Sequence, residues 1–92
     1  MAQFQVLLRG EHFLLHREGK EGWFGFLKTV YVQSESADSA CEYAVKQAIS
    51  DPEFRSSVRN PASEPPAMNV EECTEIEKDP NLQDSPFIYT PE

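Results

Sequence analysis

The chain opens on a two-residue alternation. Phe4, Val6 and Leu8 fall on one side of an extended segment and Gln3, Gln5 and Arg9 on the other, the pattern of a half-buried strand. Gly10 interrupts the alternation and His12-Phe13-Leu14-Leu15-His16 resumes it, so residues 3–16 read as one long strand with a break at the glycine. The polar stretch from Arg17 to Gly22 holds two glycines, which supply the positive φ that a tight connection needs. The run from Trp23 to Val32 is aromatic and β-branched, the composition of a second strand. Two strands joined this way predict an antiparallel hairpin. Phe24, Phe26, Val30 and Val32 share one side of the second strand, and Trp23, Leu27, Thr29 and Tyr31 the other. Both sides therefore carry apolar groups, and the second requires a cover: the chain's own tail or a partner.

The periodicity then changes. Ala37, Ala40, Cys41, Ala44, Val45, Ala48 and Ile49 recur at steps of three and four, the apolar stripe of an amphipathic helix. Ser36 suits its N-cap, and the small residues predict close approach to a sheet. Pro52 stops this helix and, with Asp51 as cap, opens a short second one that buries Phe54 and Val58. Residues 60–66, with three prolines, form a stiff linker. Met68, Val70, Thr74 and Ile76 recur at even spacing and predict a third strand through Glu77. Its opposite side carries Asn69, Glu71, Cys73, Glu75 and Glu77, and Glu72 interrupts the apolar side. Beyond Lys78 come Pro80, Pro86 and Pro91 and one apolar cluster, Phe87-Ile88-Tyr89, which is expected to pin the tail against the exposed side of the hairpin.

The expected fold is α+β in two layers: a three-stranded antiparallel sheet in the order 2-1-3 with both helices on one face. Residues 1–77 form a single domain and 78–92 a proline-containing acidic C-terminal tail.

Composition adjusts the picture in two ways. With 92 residues the chain is one domain's worth, with little depth beneath its core for a water-excluded active site. The net charge of −8 is uneven: residues 1–33 carry +1 and residues 34–92 carry −9. A field of that sign repels phosphate backbones and anionic lipid, so neither nucleic acid nor a membrane is an expected partner. The first nine residues show no basic leader with an apolar run, and no stretch approaches the roughly 18 apolar residues that cross a bilayer. Two cysteines make no disulfide framework, and Cys41 on the helix stripe and Cys73 on a sheet face are expected in different environments. A cytoplasmic, reduced protein is the expectation.

Several short motifs stand along the chain. Arg9-Gly10 with Phe13-Leu14, Gly25-Phe26 with Thr29 and Val32, Asp51-Pro52, and Pro65-Pro66-Ala67-Met68 leading into Val70-Glu71-Glu72 resemble a family of small bacterial proteins with no assigned activity. The resemblance covers most of the chain up to the third strand and implies a bacterial or phage origin, with nothing about chemistry.

No residue set points to catalysis. His12 and His16, four apart on a strand, are about 13 Å from each other, too far to share a zinc at about 2.0–2.1 Å. In the 2-1-3 order Cys73 would lie across from a first-strand histidine, but Glu71 and Glu75 beside it disfavour a thiolate. The glycines match no phosphate-binding pattern. No enzyme activity, cofactor or metal is therefore expected. What remains is surface: Trp23, Leu27 and Tyr31 with Arg9 beside them have the composition of an interface core. The expected role is a non-enzymatic protein-interaction module with an unidentified protein partner or a second copy of itself, through this face or an edge strand. The alternative is an acidic inhibitor or nucleic-acid mimic, with Glu71, Glu75 and Glu77 occupying a basic groove on a nucleic-acid-handling protein. A third reading is a small-ligand or metal binder.

Overall fold

A computed structural model describes all 92 residues. The elements run β1 (Ala2–Arg17), β2 (Lys20–Ser34), α1 (Ala37–Ile49), α2 (Pro52–Ser57), β3 (Ala67–Ile76) and β4 (Ile88–Pro91). They build a mixed α+β fold around one antiparallel sheet of four strands in the order β3-β1-β2-β4. The predicted order of the first three strands holds. The three-stranded count does not, because Ile88–Pro91 pairs with Phe24–Leu27 as a fourth strand on the free edge of β2.

β1 and β2 form a long hairpin turning at Glu18-Gly19, both in the left-handed region, with φ of 54° and 79°. Gly10 pairs with Phe26 and Phe13 with Phe24, so Glu11 and His12 together face a single residue, Gly25. That is the break read from the sequence, and it is a β-bulge, with His12 at φ 60°. It keeps the alternation in phase with the core: Phe4, Val6 and Leu8 before it and Phe13 and Leu15 after it are all buried on the helix side.

α1 is capped as expected, the Ser36 hydroxyl accepting from the Ser39 amide at 3.2 Å. Its buried stripe is narrower than the apolar pattern suggests. Ala40, Ala44 and Ala48 are fully buried, whereas Ile49 is 48% exposed. Three alanines at four-residue steps let the helix sit close on Val6, Leu8, Val30 and Val32. Asp51 caps α2 by accepting from the Phe54 amide at 2.9 Å, and Pro52 holds the first helical position. Phe54 is thereby delivered into an aromatic cluster with Phe13, Phe26 and Phe87.

Two expectations about the second half are overturned. In β3 the alternation does not run unbroken: Leu7 pairs with Glu72 and Leu8 with Val70, leaving Glu71 as a bulge. Past it the faces exchange, so Cys73, opposite Val6, turns toward the helices, and Thr74 and Ile76 turn away. Glu72, out of place in the apolar pattern, marked that change of phase. The tail also differs from its predicted place. Its backbone adds to the sheet edge, and Phe87 and Tyr89 pack on the helix side, Phe87 stacked on Phe54 at 4.5 Å and Tyr89 edge-on to Phe24. An extended edge segment satisfies its backbone polar groups on β2, while its alternate side chains extend the core.

Candidate functional site

The outer face of the sheet, opposite the helices, is best described in rows of register partners. The central row runs Asn69, Arg9, Leu27, Ile88 across all four strands. The next row toward the β1 start is Glu72, Leu7, Thr29, and beyond it Thr74, Gln5, Tyr31. At the other end Leu14 pairs with Trp23.

The segment between β3 and β4 crosses this face at one end only. Gln3, on the outer side by alternation yet 4% exposed, holds the main chain of Asp79 in both directions: its amide nitrogen donates to the carbonyl at 3.3 Å and its oxygen accepts from the amide at 2.7 Å. The chain then reaches the β2 edge, where the Asp84 carboxylate accepts from the Tyr31 amide at 2.8 Å and the Ser85 hydroxyl from the Thr29 amide at 2.8 Å. Tyr31 is consequently half-buried. Leu27, 36% exposed, and Ile88, 56% exposed, lie beyond the crossing with no element over them.

The four residues expected at an interface core are thus brought to one face, each in a different setting. Arg9 is exposed, its Nε 3.3 Å from Glu71. Leu27 is its register partner. Tyr31 lies under the edge of the crossing, and Trp23 is half-covered by the His12 imidazole, stacked on it at 4.3 Å and 16°. Two contributors were missed by sequence reading: Ile88, assigned to a tail that would cover the patch rather than extend it, and Leu7, which sits between Glu72 and Thr29 on the same face.

The carboxylates expected to form one acidic surface do not share a face. Glu71 occupies the bulge and pairs with Arg9, Glu72 lies opposite Leu7 on the outer side, Glu75 lies opposite Phe4 on the helix side, and Glu77 follows the strand end. Nor does Cys73 oppose a histidine. Its thiol donates to the Ala37 carbonyl, 3.8 Å away, and burial followed by a hydrogen bond with Cys41 pushes it up to about 11. Cys41 and Cys73, expected apart, are neighbours.

The bulge at His12 is held from three sides. The Asn60 side chain donates to the His12 carbonyl at 2.8 Å and accepts from the Leu14 amide at 2.9 Å, and the Glu92 carboxylate accepts from the His12 amide at 3.0 Å. Glu64 lies 3.5 Å from His12 Nε2. These contacts offset the strain of a left-handed histidine and fix the imidazole over Trp23.

Two grooves flank the helices. One, about 500 Å³, lies between α2 and β4, with the Arg17 guanidinium 4.1 Å over the Tyr89 ring and Lys28 Nζ 4.7 Å over Phe87. Burial pushes the Tyr89 phenol up, partly opposed by Arg17. The other, about 550 Å³, is largely apolar and runs between α1, α2 and the start of β3, past Val45, Ile49, Val58 and Met68. No helix is long and apolar enough to cross a membrane. Comparison of the chain with family models, curated proteins and solved structures finds no match.

Proposed function

We propose that this chain is a protein-interaction module that takes its partner on the outer face of the sheet. The observation that carries this reading is the open apolar pair Leu27 and Ile88, with half-buried Leu7 beside it and Arg9 and Trp23 at its border, that the crossing segment leaves bare. The chain spends its tail aromatics, Phe87 and Tyr89, on the helix side and presents Ile88 outward instead. Exposed apolar groups gathered around an arginine and a tryptophan match the composition of interface centres.

The sheet edges are poorer candidates. β3 carries a bulge and several glutamates, and β4 is four residues long with a proline in it and another two residues before it. Bulges, charges, prolines and short length are the devices that blunt strand addition. A face therefore suits a partner better than an edge does.

The test compares the full-length chain with Leu27→Asp and Ile88→Asp, two exposed substitutions expected to leave the fold intact. Light scattering on a concentration series and affinity capture from a lysate of the native host are read together. The wild type self-associates or retains a partner, and either variant loses it. A wild-type chain that stays monomeric and captures the same proteins as both variants overturns the reading.

A further inference from the structure

We propose that Cys41 and Cys73 form a dithiol modification site, one that closes to an intramolecular disulfide on reaction with a small-molecule disulfide of the glutathione class. Cys73 faces the helices only because the Glu71 bulge exchanges the two sides of β3; had the alternation of Met68 and Val70 continued, its thiol would point to the outer face. Opposite Val6, its Sγ lies 3.8 Å from the Ala37 carbonyl in the first turn of α1. Cys41 stands one turn farther along that helix, four residues after Ala37, so the two thiols flank the same carbonyl. Both residues are half-buried and carry free thiols, which leaves them open to a small reagent.

The chemistry balances as thiol–disulfide exchange. Cys41 loses its proton to solvent and its thiolate attacks one sulfur of glutathione disulfide, forming a mixed disulfide and releasing one glutathione thiolate. Cys73, deprotonated in turn, attacks Cys41 Sγ and releases the second. One S–S bond breaks and another forms; two protein thiols are oxidised, one small disulfide is reduced, and the two protons end on the two glutathione thiols. Cys73 serves as the resolving thiol because burial pushes it up and its proton is held by the Ala37 carbonyl, which makes it the slower of the two to attack. The disulfide ties α1 covalently to β3, the edge strand of the sheet beside β1.

The full-length protein is treated with glutathione disulfide at two pH values one unit apart and followed by intact mass and thermal melting. The expected product has lost the mass of two hydrogens, carries no glutathione, forms faster at the higher pH, and melts about 10 °C or more above the reduced chain, as closure of a loop of about 30 residues implies. Dithiothreitol reverses both changes. Cys41→Ser and Cys73→Ser each stop at no more than one glutathione adduct. A persistent adduct on the wild type, a disulfide-linked dimer, or two thiols that stay unreacted overturns the proposal. The wild-type mass decides the matter alone if a serine variant fails to fold.

Discussion

Gly10→Ala probes the centre of the fold with one methyl group. A Cβ built on Gly10 would fall 2.0, 2.3 and 2.6 Å from three atoms of the Phe26 ring. Ordinary carbon–carbon contact is about 3.5–4.0 Å, so ring or strand must give way by about 1.5 Å. The ring has nowhere to go. Phe26 is buried and wedged by Phe13 at 5.4 Å, Phe54 at 5.5 Å and Phe87 at 5.0 Å. Overpacking of this kind costs about 1–3 kcal/mol, offset by about 0.4–1 kcal/mol from the stiffer unfolded chain. The expected net loss is about 1.3 kcal/mol, or a melting temperature lower by about 5–10 °C for a domain of this size. Urea unfolding gives the free energy and a thermal melt the shift. The double variant Gly10→Ala/Phe26→Leu is expected to lose less than the two single losses added together, because the smaller side chain vacates the space the methyl needs. A Gly10→Ala protein as stable as wild type, or more so, would mean that Phe26 does not cover Gly10 and that the β1–β2 register is wrong.

Three further outcomes follow from the same structure. Asp51→Ala removes the cap of α2 and is expected to destabilise by about 1 kcal/mol, read by urea unfolding, with Asp51→Asn retaining most of the stability. Phe87→Ala unstacks Phe54 and is expected to cost about 2 kcal/mol for a half-buried ring, with amide exchange rising first in Ile88–Pro91 and in the facing part of β2. Stability is expected to fall as pH rises from about 9 to about 11. Cys73, raised from 9.0 to about 11, and Tyr89, raised above 10.0, keep protons in the folded state that the unfolded chain releases, so unfolding is favoured through that window. The urea midpoint measured across that range checks it, and Cys73→Ala is expected to flatten its lower part.

Much of the fold was legible because its signals are local. The alternation of Phe4, Val6 and Leu8, the four-residue steps of Ala40, Ala44 and Ala48, and the caps at Ser36 and Asp51 each depend on residues within a few positions, and each appears where expected. Gly10 marked the place because a methyl there has no room against the Phe26 ring, and the bulge follows directly at Glu11 and His12. The failures are non-local. Ile88–Pro91 is too short to show a strand period, and its partner strand lies more than sixty positions away. The β3 bulge depends on how Glu71 and Glu72 meet Leu7 and Leu8, so the period-two reading carried past it put Cys73, Thr74 and Ile76 on the wrong sides. From that single phase error followed both the separation of Cys41 from Cys73 and the gathering of the carboxylates onto one surface. The outer-face residues Arg9, Trp23, Leu27 and Tyr31 were identifiable because β2 is apolar on both sides. That the tail would cross only the Tyr31 end of this face and leave Leu27 open was not, since Phe87-Ile88-Tyr89 can present either parity.

Methyl NMR with a soluble paramagnetic agent tests the open outer face most directly. In the free monomer the methyl signals of Leu27 and Ile88 are expected to broaden strongly while those of Val6 and Leu15 stay sharp, and Leu27 and Ile88 are expected to become protected on self-association or partner binding. Sharp Leu27 and Ile88 signals in the monomer, or equal broadening in the free and bound states, would contradict the account.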